Sequence, residues 1–341
     1  MRKNRIAIYL SFVLFMFVSA FGGIGYYYMS VKEIVSHQAN DFIMAVTESR
    51  ANHIRTLLDE QVEKIKLITE NALIEAYLEQ GSAFSELDLL QSELNEYLDV
   101  ELVGVSVTDR EGIILISSHP DYVGEPIALE ELAWERDRAE DVIGQTWGKE
   151  RSILFRDVYH SQLLDTDIFE LGAYVMSEEN DEPIGMIKVD FDSQILDNVT
   201  LDRKGLGESG EIYLINHQGY TITPRIFKTQ ADLTEIVDTP NSAECLEDLE
   251  EDDPEAEERE KEEDGDLRMF TASGGDQKIG VDVPIYRTGW CLLGEYKERE
   301  LYGLLNLKLL TVALPILIFI TIITGVFIFV IDKLSLGKHK S

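Results

Sequence analysis

The sequence predicts an α/β fold of the α+β type: two antiparallel-sheet modules stacked in series on a long N-terminal helix, with a membrane-spanning helix at either end. Three observations predict it. Two uncharged apolar runs lie near the ends of the 341-residue chain, a long stretch without proline or glycine follows the first, and the region between the runs uses one order of strands twice.

The apolar runs cover residues 6–28 and 309–331. Each has roughly 20 or more residues, enough to cross about 30 Å of hydrocarbon as a helix. Tyr26, Tyr27 and Tyr28 stand where an interfacial aromatic belt forms. The first run reads as an uncleaved anchor rather than a signal peptide, because it continues past Ser19–Gly22 without a polar cleavage region. Pro315 and Gly325 in the second are tolerated in membrane helices. Its length, lack of charge and terminal position speak against a buried core helix. The flanking tips, residues 1–5 and 332–341, carry Arg2, Lys3, Arg5, Lys333, Lys338 and Lys340. Basic flanks stay in the cytoplasm. Both termini are therefore expected inside a cell membrane and the main domain outside it.

The formal net charge of −34 repels nucleic acid and anionic headgroups, which excludes DNA and RNA as partners. Two cysteines, Cys245 and Cys291, are too few for a disulfide scaffold, and whether they pair stays open. The six histidines are scattered and no CxxC is present, so neither a metal site nor a cofactor is expected.

Residues 30–78 contain no proline or glycine, and apolar residues recur at helical spacing through Val31, Ile34, Val35, Phe42, Val46, Ile54, Leu58, Val62, Ile65, Ile68, Leu73 and Tyr77. Such a helix extends about 70 Å. Its sparse first half reads as a stalk that pairs with a second copy, giving a homodimer. Its broader stripe from Ile54 onward suits packing on a sheet. Gly81-Ser82 ends the helix and a second one follows over 85–98, so 29–98 forms the stalk and packing helices. A plain strut and a rod coupling the exterior domain to the membrane are both consistent with this pattern.

The first, membrane-distal module is expected over 99–195. Residues 100–107 and 113–117 form a hairpin across Asp109–Gly112, a helix covers 127–143, and strands follow over 152–159, 169–176 and 184–191. A helix over 191–206 links to the membrane-proximal module, 196–305. There a strand over 210–216 turns at His217–Tyr220 into a return strand, and strands over 267–271, 278–285 and 289–296 complete a second sheet. Between them the segment 244–266 is so densely acidic that it reads as a solvated insertion without a defined metal site.

The run Gly205-Leu206-Gly207-Glu208-Ser209-Gly210-Glu211-Ile212-Tyr213-Leu214-Ile215-Asn216-His217-Gln218-Gly219 resembles the start of the proximal module of double Cache sensor domains. These are the extracytoplasmic input domains of many chemoreceptors, sensor histidine kinases and cyclic-dinucleotide enzymes. Val107–Gly112, Ser117-Ser118 and Val123-Gly124 are similar to the opening of the distal module, and Pro183–Asp190 to its last strand. Val283-Pro284-Ile285 with Thr288-Gly289-Trp290 is similar to the end of the proximal module. The resemblance spans about residues 30–305. It implies a small-molecule ligand (amino acid, amine or carboxylate) in the distal module, and signalling by helix displacement within a dimer. It also implies a late pocket aspartate, which falls on Asp190. The Arg-x-Trp-Tyr cluster of amino-acid-binding members is not reproduced by Ala133–Asp137, and the usual HAMP and output regions do not follow the second span. A separate signalling partner is therefore expected.

No GxSxG, HExxH or Walker A pattern occurs, and Gly205-x-Gly207-x-x-Gly210 precedes a strand instead of joining a strand to a helix, so an enzyme is not expected. The ligand-site candidates are polar and aromatic residues of the distal module. Asp190 is either an ammonium partner or a turn residue. Arg156 is either a bidentate carboxylate binder or a solvent-face arginine. Tyr159, Tyr174, Trp134 and Trp147 are either pocket walls or ordinary packing aromatics. Trp290 is placed in the proximal core, with Gly210 at the start of its strand and Gly219 in the turn as further structural residues. The leading reading is a membrane-anchored sensor of a small extracytoplasmic molecule. The alternatives are a non-sensory binding or assembly module, and the sensor fragment of a longer histidine kinase or chemoreceptor.

Overall fold

The computed structural model describes residues 2–127, 153–177, 182–225, 231–250, 268–271 and 275–337. The chain divides into two compact units, one of Ile43–Glu295 and one of Met1–Phe42 with Tyr296–Ser341.

Helix α1 runs Arg2–Thr69, and α2 runs Ala72–Gln80. The sequence predicts one helix as far as Gly81. The break comes earlier because Asn71 takes an extended conformation, and its side chain accepts from the Leu73 and Ile74 amides (2.8 and 3.4 Å). That is an N-cap, and it restarts the helix without glycine or proline. Gly81, at φ 53°, ends α2. Within the larger unit the buried stripe of α1 passes through Ile43, Thr47, Ala51, Ile54, Leu58, Val62, Ile65 and Ile68, a spacing of three and four. Phe42 and Ile34 of the expected stripe are exposed instead.

After α3 (Leu87–Glu96) come β1 (Leu102–Thr108), β2 (Ile114–Ser117), β3 (Ile153–Ser161), β4 (Thr166–Met176) and β5 (Pro183–Asp192). All their pairings are antiparallel, in the order β2-β1-β5-β4-β3. Gly112, at φ 83°, supplies the left-handed position of the β1–β2 turn. Of the helix expected over 127–143, all but the first residue lies outside the described residues. Helix α4 (Gln194–Thr200) leads to β6 (Glu211–Ile215), α5 (Pro240–Glu250), β7 (Arg268–Thr271), β8 (Gln277–Ile285) and β9 (Trp290–Lys297). The second sheet has the order β6-β9-β8-β7. A bridge between Ile215 and Thr221 stands where the first sheet has its β1–β2 hairpin. With β6, β9, β8 and β7 taking the places of β1, β5, β4 and β3, the two sheets share one strand order.

One expectation is corrected in the second module, and one open question is answered. Residues 244–250 belong to α5 and are not part of a solvated insertion, because Cys245 and Leu249 point into a core with Tyr213, Ile215, Val237 and Leu293. Cys245 and Cys291 form a disulfide that fastens α5 to β9. Residues 251–266 of the acidic segment lie outside the described residues.

The modules meet at Trp290. The sequence places this residue in the proximal core, but its buried ring stands edge-on to Phe155 (5.3 Å) and Phe169 (6.1 Å) of the first sheet. Its Nε1 donates to Asp157 Oδ1 (2.8 Å), and Asn216 Nδ2 donates to Asp157 Oδ2 (2.8 Å). Helix α1 touches both modules as well. Arg55 donates to the Pro284 carbonyl and Asp59 pairs with Arg287 in the second, while Gln61 and Lys64 bond Glu101 in the first.

In the smaller unit, α6 (Glu298–Gly337) lies beside the first part of α1, with Phe12 and Phe327 stacked at 4.2 Å and Lys32 over the Tyr302 ring at 5.3 Å. Among the described residues one helix, α1, is long and apolar enough to cross a membrane, and the shorter apolar stretch of α6 is Ala313–Phe327.

Candidate functional site

Every residue of β5 from Gly185 to Phe191 is buried, so both faces of the first sheet are covered there. One face carries charge. Directly paired residues of an antiparallel sheet lie on the same face, as do residues two apart along a strand. The register therefore aligns Gly104, Asp190, Glu170 and Arg156 in one row, and Ser106, Lys188, Gly172 and Leu154 in the next. Both Lys188 and Asp190 face inward because they are two apart in a strand whose intervening residues, Ile187, Val189 and Phe191, fill the other face.

Lys188 sits at the centre. Its Nζ donates to Glu170 Oε1 (2.8 Å) and Asp190 Oδ1 (2.5 Å), and lies 5.0 Å from the centre of the Tyr122 ring. Tyr159 donates its hydroxyl to Glu170 Oε1, and Arg156 donates to Glu170 Oε2 (3.4 Å) while its guanidinium stacks on the Tyr159 ring at 3.8 Å. A bulge in β3 between Arg156 and Tyr159 turns both side chains to this cluster. The same bulge carries Asp157, which reaches the second module.

Two carboxylates and two cations neutralise one another, but unevenly. Burial works to raise the Glu170 carboxyl, and Lys188 and Arg156 outweigh it and hold it below the usual range. Asp190 has fewer donors. Its burial, with Glu170 close by, pushes it above the usual range against the pull of Lys188. Burial also opposes the Lys188 ammonium, yet the two carboxylates hold it above its ordinary value. Asp190 Oδ2 is buried and accepts no hydrogen bond among the described residues. It lies against Gly104, where a Cβ would come within 2.4 Å of it, so only glycine leaves room for this carboxylate.

Next to the charged rows lies an apolar patch of Ile114, Ile127, Leu154 and Met186, with Tyr122 and Tyr174 packed on it. Charged end and apolar floor together have the character of a small-molecule site. Of the sequence candidates, Asp190, Arg156 and Tyr159 come together, Tyr174 lines the floor, and Trp134 and Trp147 lie outside the described residues. Gly219 occupies its turn at φ 83°, and the Gly210 amide donates to the Leu206 carbonyl at 2.9 Å. Sequence reasoning missed Glu170, Lys188 and Tyr122. The available signal was a charge at alternate positions of otherwise apolar strands.

The second sheet carries a similar constellation. Lys278 donates to Glu211 (2.5 Å) and Glu295 (2.7 Å), Tyr213 donates to Glu295 (2.6 Å), and Arg225 bonds both carboxylates while its guanidinium covers the Tyr213 ring at 4.3 Å. Among the described residues no group of three or more acidic, histidine or cysteine side chains is placed to hold a metal ion.

No protein-family model matches the sequence, and no curated protein matches it. Solved structures do. The sensor domain of the histidine kinase DctB from V. cholerae is similar at TM-score 0.52 and 12% identity, over 77% of this chain and 98% of that one. The sensory domain of the chemoreceptor Tlp3 from Campylobacter jejuni, solved with isoleucine bound, is similar at TM-score 0.50 and 11% identity, over 80% of this chain and 97% of that one. At such identities the likeness concerns the fold. The chain has the double Cache fold of the ligand-binding sensor domains of chemoreceptors and histidine kinases.

Proposed function

We propose that this chain is a membrane-anchored extracytoplasmic sensor of a small molecule, which it binds on the charged face of the first module and reports through its membrane helices to a separate signalling partner. The ligand class is an amine, a carboxylate or an amino-acid-like compound. One observation carries the reading: four charged side chains of a sheet face are gathered beside an apolar floor, in a fold that solved sensor domains use. Buried charge of this kind contributes little to stability, because desolvation offsets the attraction. Recognition of a polar ligand gives it a use.

In this reading α1 and α6 both cross the membrane, with the basic tips on the cytoplasmic side. The exposed apolar Ile34 and Phe42 of α1 support pairing of two copies in a homodimer. The protein acts by binding and not by catalysis.

Thermal-shift screening of the full chain in detergent or nanodiscs against amino acids, amines and carboxylates tests the proposal. A hit stabilises wild type, and Asp190→Asn or Arg156→Ala weakens the response by about tenfold or more. No response to any compound sinks the sensor reading. The second reading, a non-sensory binding or assembly module, draws support from the mutual neutralisation of the cluster, and it predicts that negative result.

A further inference from the structure

The surroundings of Lys188 Nζ are those of a bound ammonium ion. Two carboxylate oxygens, from Glu170 and Asp190, lie at 2.8 and 2.5 Å, and the Tyr122 ring lies at 5.0 Å. Charge-assisted bonds to carboxylates with an aromatic face nearby are a standard way to hold a primary ammonium. Here the ammonium arrives on a side chain of the same sheet. Lys188 is 4% exposed, Glu170 2% and Asp190 0%, so this seat is closed to water. Its carboxylates are also held from other directions: Glu170 by Tyr159 and Arg156, Asp190 by the space that Gly104 leaves.

We propose that Lys188 is a tethered ammonium that permanently fills the amine seat of the first module, and so sets specificity by excluding ligands that bring an ammonium of their own. The proposal rests on this face being the ligand site. A free amine has to displace Lys188 from two carboxylates and leave a second cation buried beside it. Lys188 does not leave readily, because its side chain is buried and its backbone is held in β5 between Ser106 and Gly172. An amine-free molecule, a carboxylate or a neutral polar compound, meets no such conflict. Within the three ligand classes of the function proposed above, this selects the carboxylate.

Replacing Lys188 with alanine removes three methylenes and the amine, a void with the shape of n-propylammonium. The test is a thermal shift on the full chain in detergent with n-propylammonium, and with propan-1-ol as the uncharged control. Lys188→Ala is expected to lose stability and to regain roughly 3 °C or more in Tm with saturating n-propylammonium, but not with propan-1-ol. Lys188→Met, which keeps the stem volume, is expected to gain nothing from either, and wild type is expected not to respond. If Lys188→Ala is recovered only unfolded, refolding with and without n-propylammonium gives the same readout as folded fraction.

Two outcomes overturn the proposal. One is a wild-type response to n-propylammonium or to an α-amino acid that Asp190→Asn abolishes. The other is a Lys188→Ala variant on which n-propylammonium acts no better than propan-1-ol. Failure of the sensor reading looks different: wild type responds to no compound of any class, while rescue of Lys188→Ala persists.

Discussion

Asp197, on the short helix between the modules, makes stability depend on pH. Its Oδ1 is buried and has no hydrogen-bond partner among the described residues. Burial, reinforced by the like charges of Asp167 on β4 and Asp192 at the end of β5, pushes its carboxyl up to about 7. The group facing these carboxylates from β3 is His160, whose Nδ1 lies 2.8 Å from Asp167 Oδ1. In an unfolded chain an aspartate titrates near about 3.9. Between these values the folded state binds more protons than the unfolded one, so this contribution is fully present below about pH 4 and is lost as pH rises through about 7. Asp197→Asn keeps the shape and removes the charge. It is expected to raise stability by about 1–3 kcal/mol at pH 8 and to flatten the loss between pH 4 and 7. Urea unfolding at pH 5 and pH 8 checks both statements, and equal slopes with pH for wild type and variant refute them. Trp290 permits a similar argument with the opposite sign. Trp290→Phe keeps most of the ring but removes the donor to Asp157, whose carboxyl burial already pushes upward. The variant is expected to lose about 1–3 kcal/mol at neutral pH, measured by the same unfolding.

Among the elements, α5 shows what a composition argument hides. The acidic run over 244–266 reads as unable to pack, yet its first turns do pack. Cys245, Leu246 and Leu249 place apolar groups at i, i+1 and i+4, and that spacing outweighs the charge of their neighbours. The disulfide then anchors the helix to β9. Closing a segment with a sequence separation of 46 stabilises the fold by about 2–4 kcal/mol. The double variant Cys245→Ser with Cys291→Ser is therefore expected to unfold at lower urea by that margin. A denaturation curve unmoved by the pair of substitutions contradicts the assignment. The strands were readable beforehand because apolar and β-branched runs between turn signals leave few alternatives, and the order hairpin-then-strands recurs. The break at Asn71 was not, since a side-chain cap acts inside a stretch that has neither glycine nor proline. The charged cluster was half readable. Asp190, Arg156 and Tyr159 stand out as polar groups on apolar strands, but that Glu170 and Lys188 meet them depends on β3–β4–β5 register, which a single sequence does not specify.

At the scale of the whole larger unit, the two modules are bound together by contacts that neither sheet makes alone. In the second part of α1, Arg55 and Asp59 reach Pro284 and Arg287 of the second module, and Gln61 on the next turn reaches Glu101 of the first. The Trp290 ring among Phe155 and Phe169, with Asp157 accepting from both Trp290 and Asn216, joins the sheets directly. A chain of this length ordinarily unfolds domain by domain. Here a cooperative loss of both modules is expected, because unfolding either one strips α1 of part of its buried packing and breaks the bonds that Trp290 and Asn216 donate to Asp157. Far-UV circular dichroism and tryptophan fluorescence of residues 43–297 are therefore expected to report one coincident urea transition. Asp157→Ala combined with Trp290→Phe removes the direct joint and leaves α1 in place, so the two probes are expected to separate in that variant. Two transitions already present in wild type show that the joint does not couple the modules. Coincident probes in the double variant show that α1 suffices without it. Under the sensor function proposed above, the distinction bears on signalling, because β3 carries Arg156 and Tyr159 of the charged face and Asp157 of the joint within four residues. A ligand that shifts this bulge acts on the second module through Trp290 only if that joint is a true coupling.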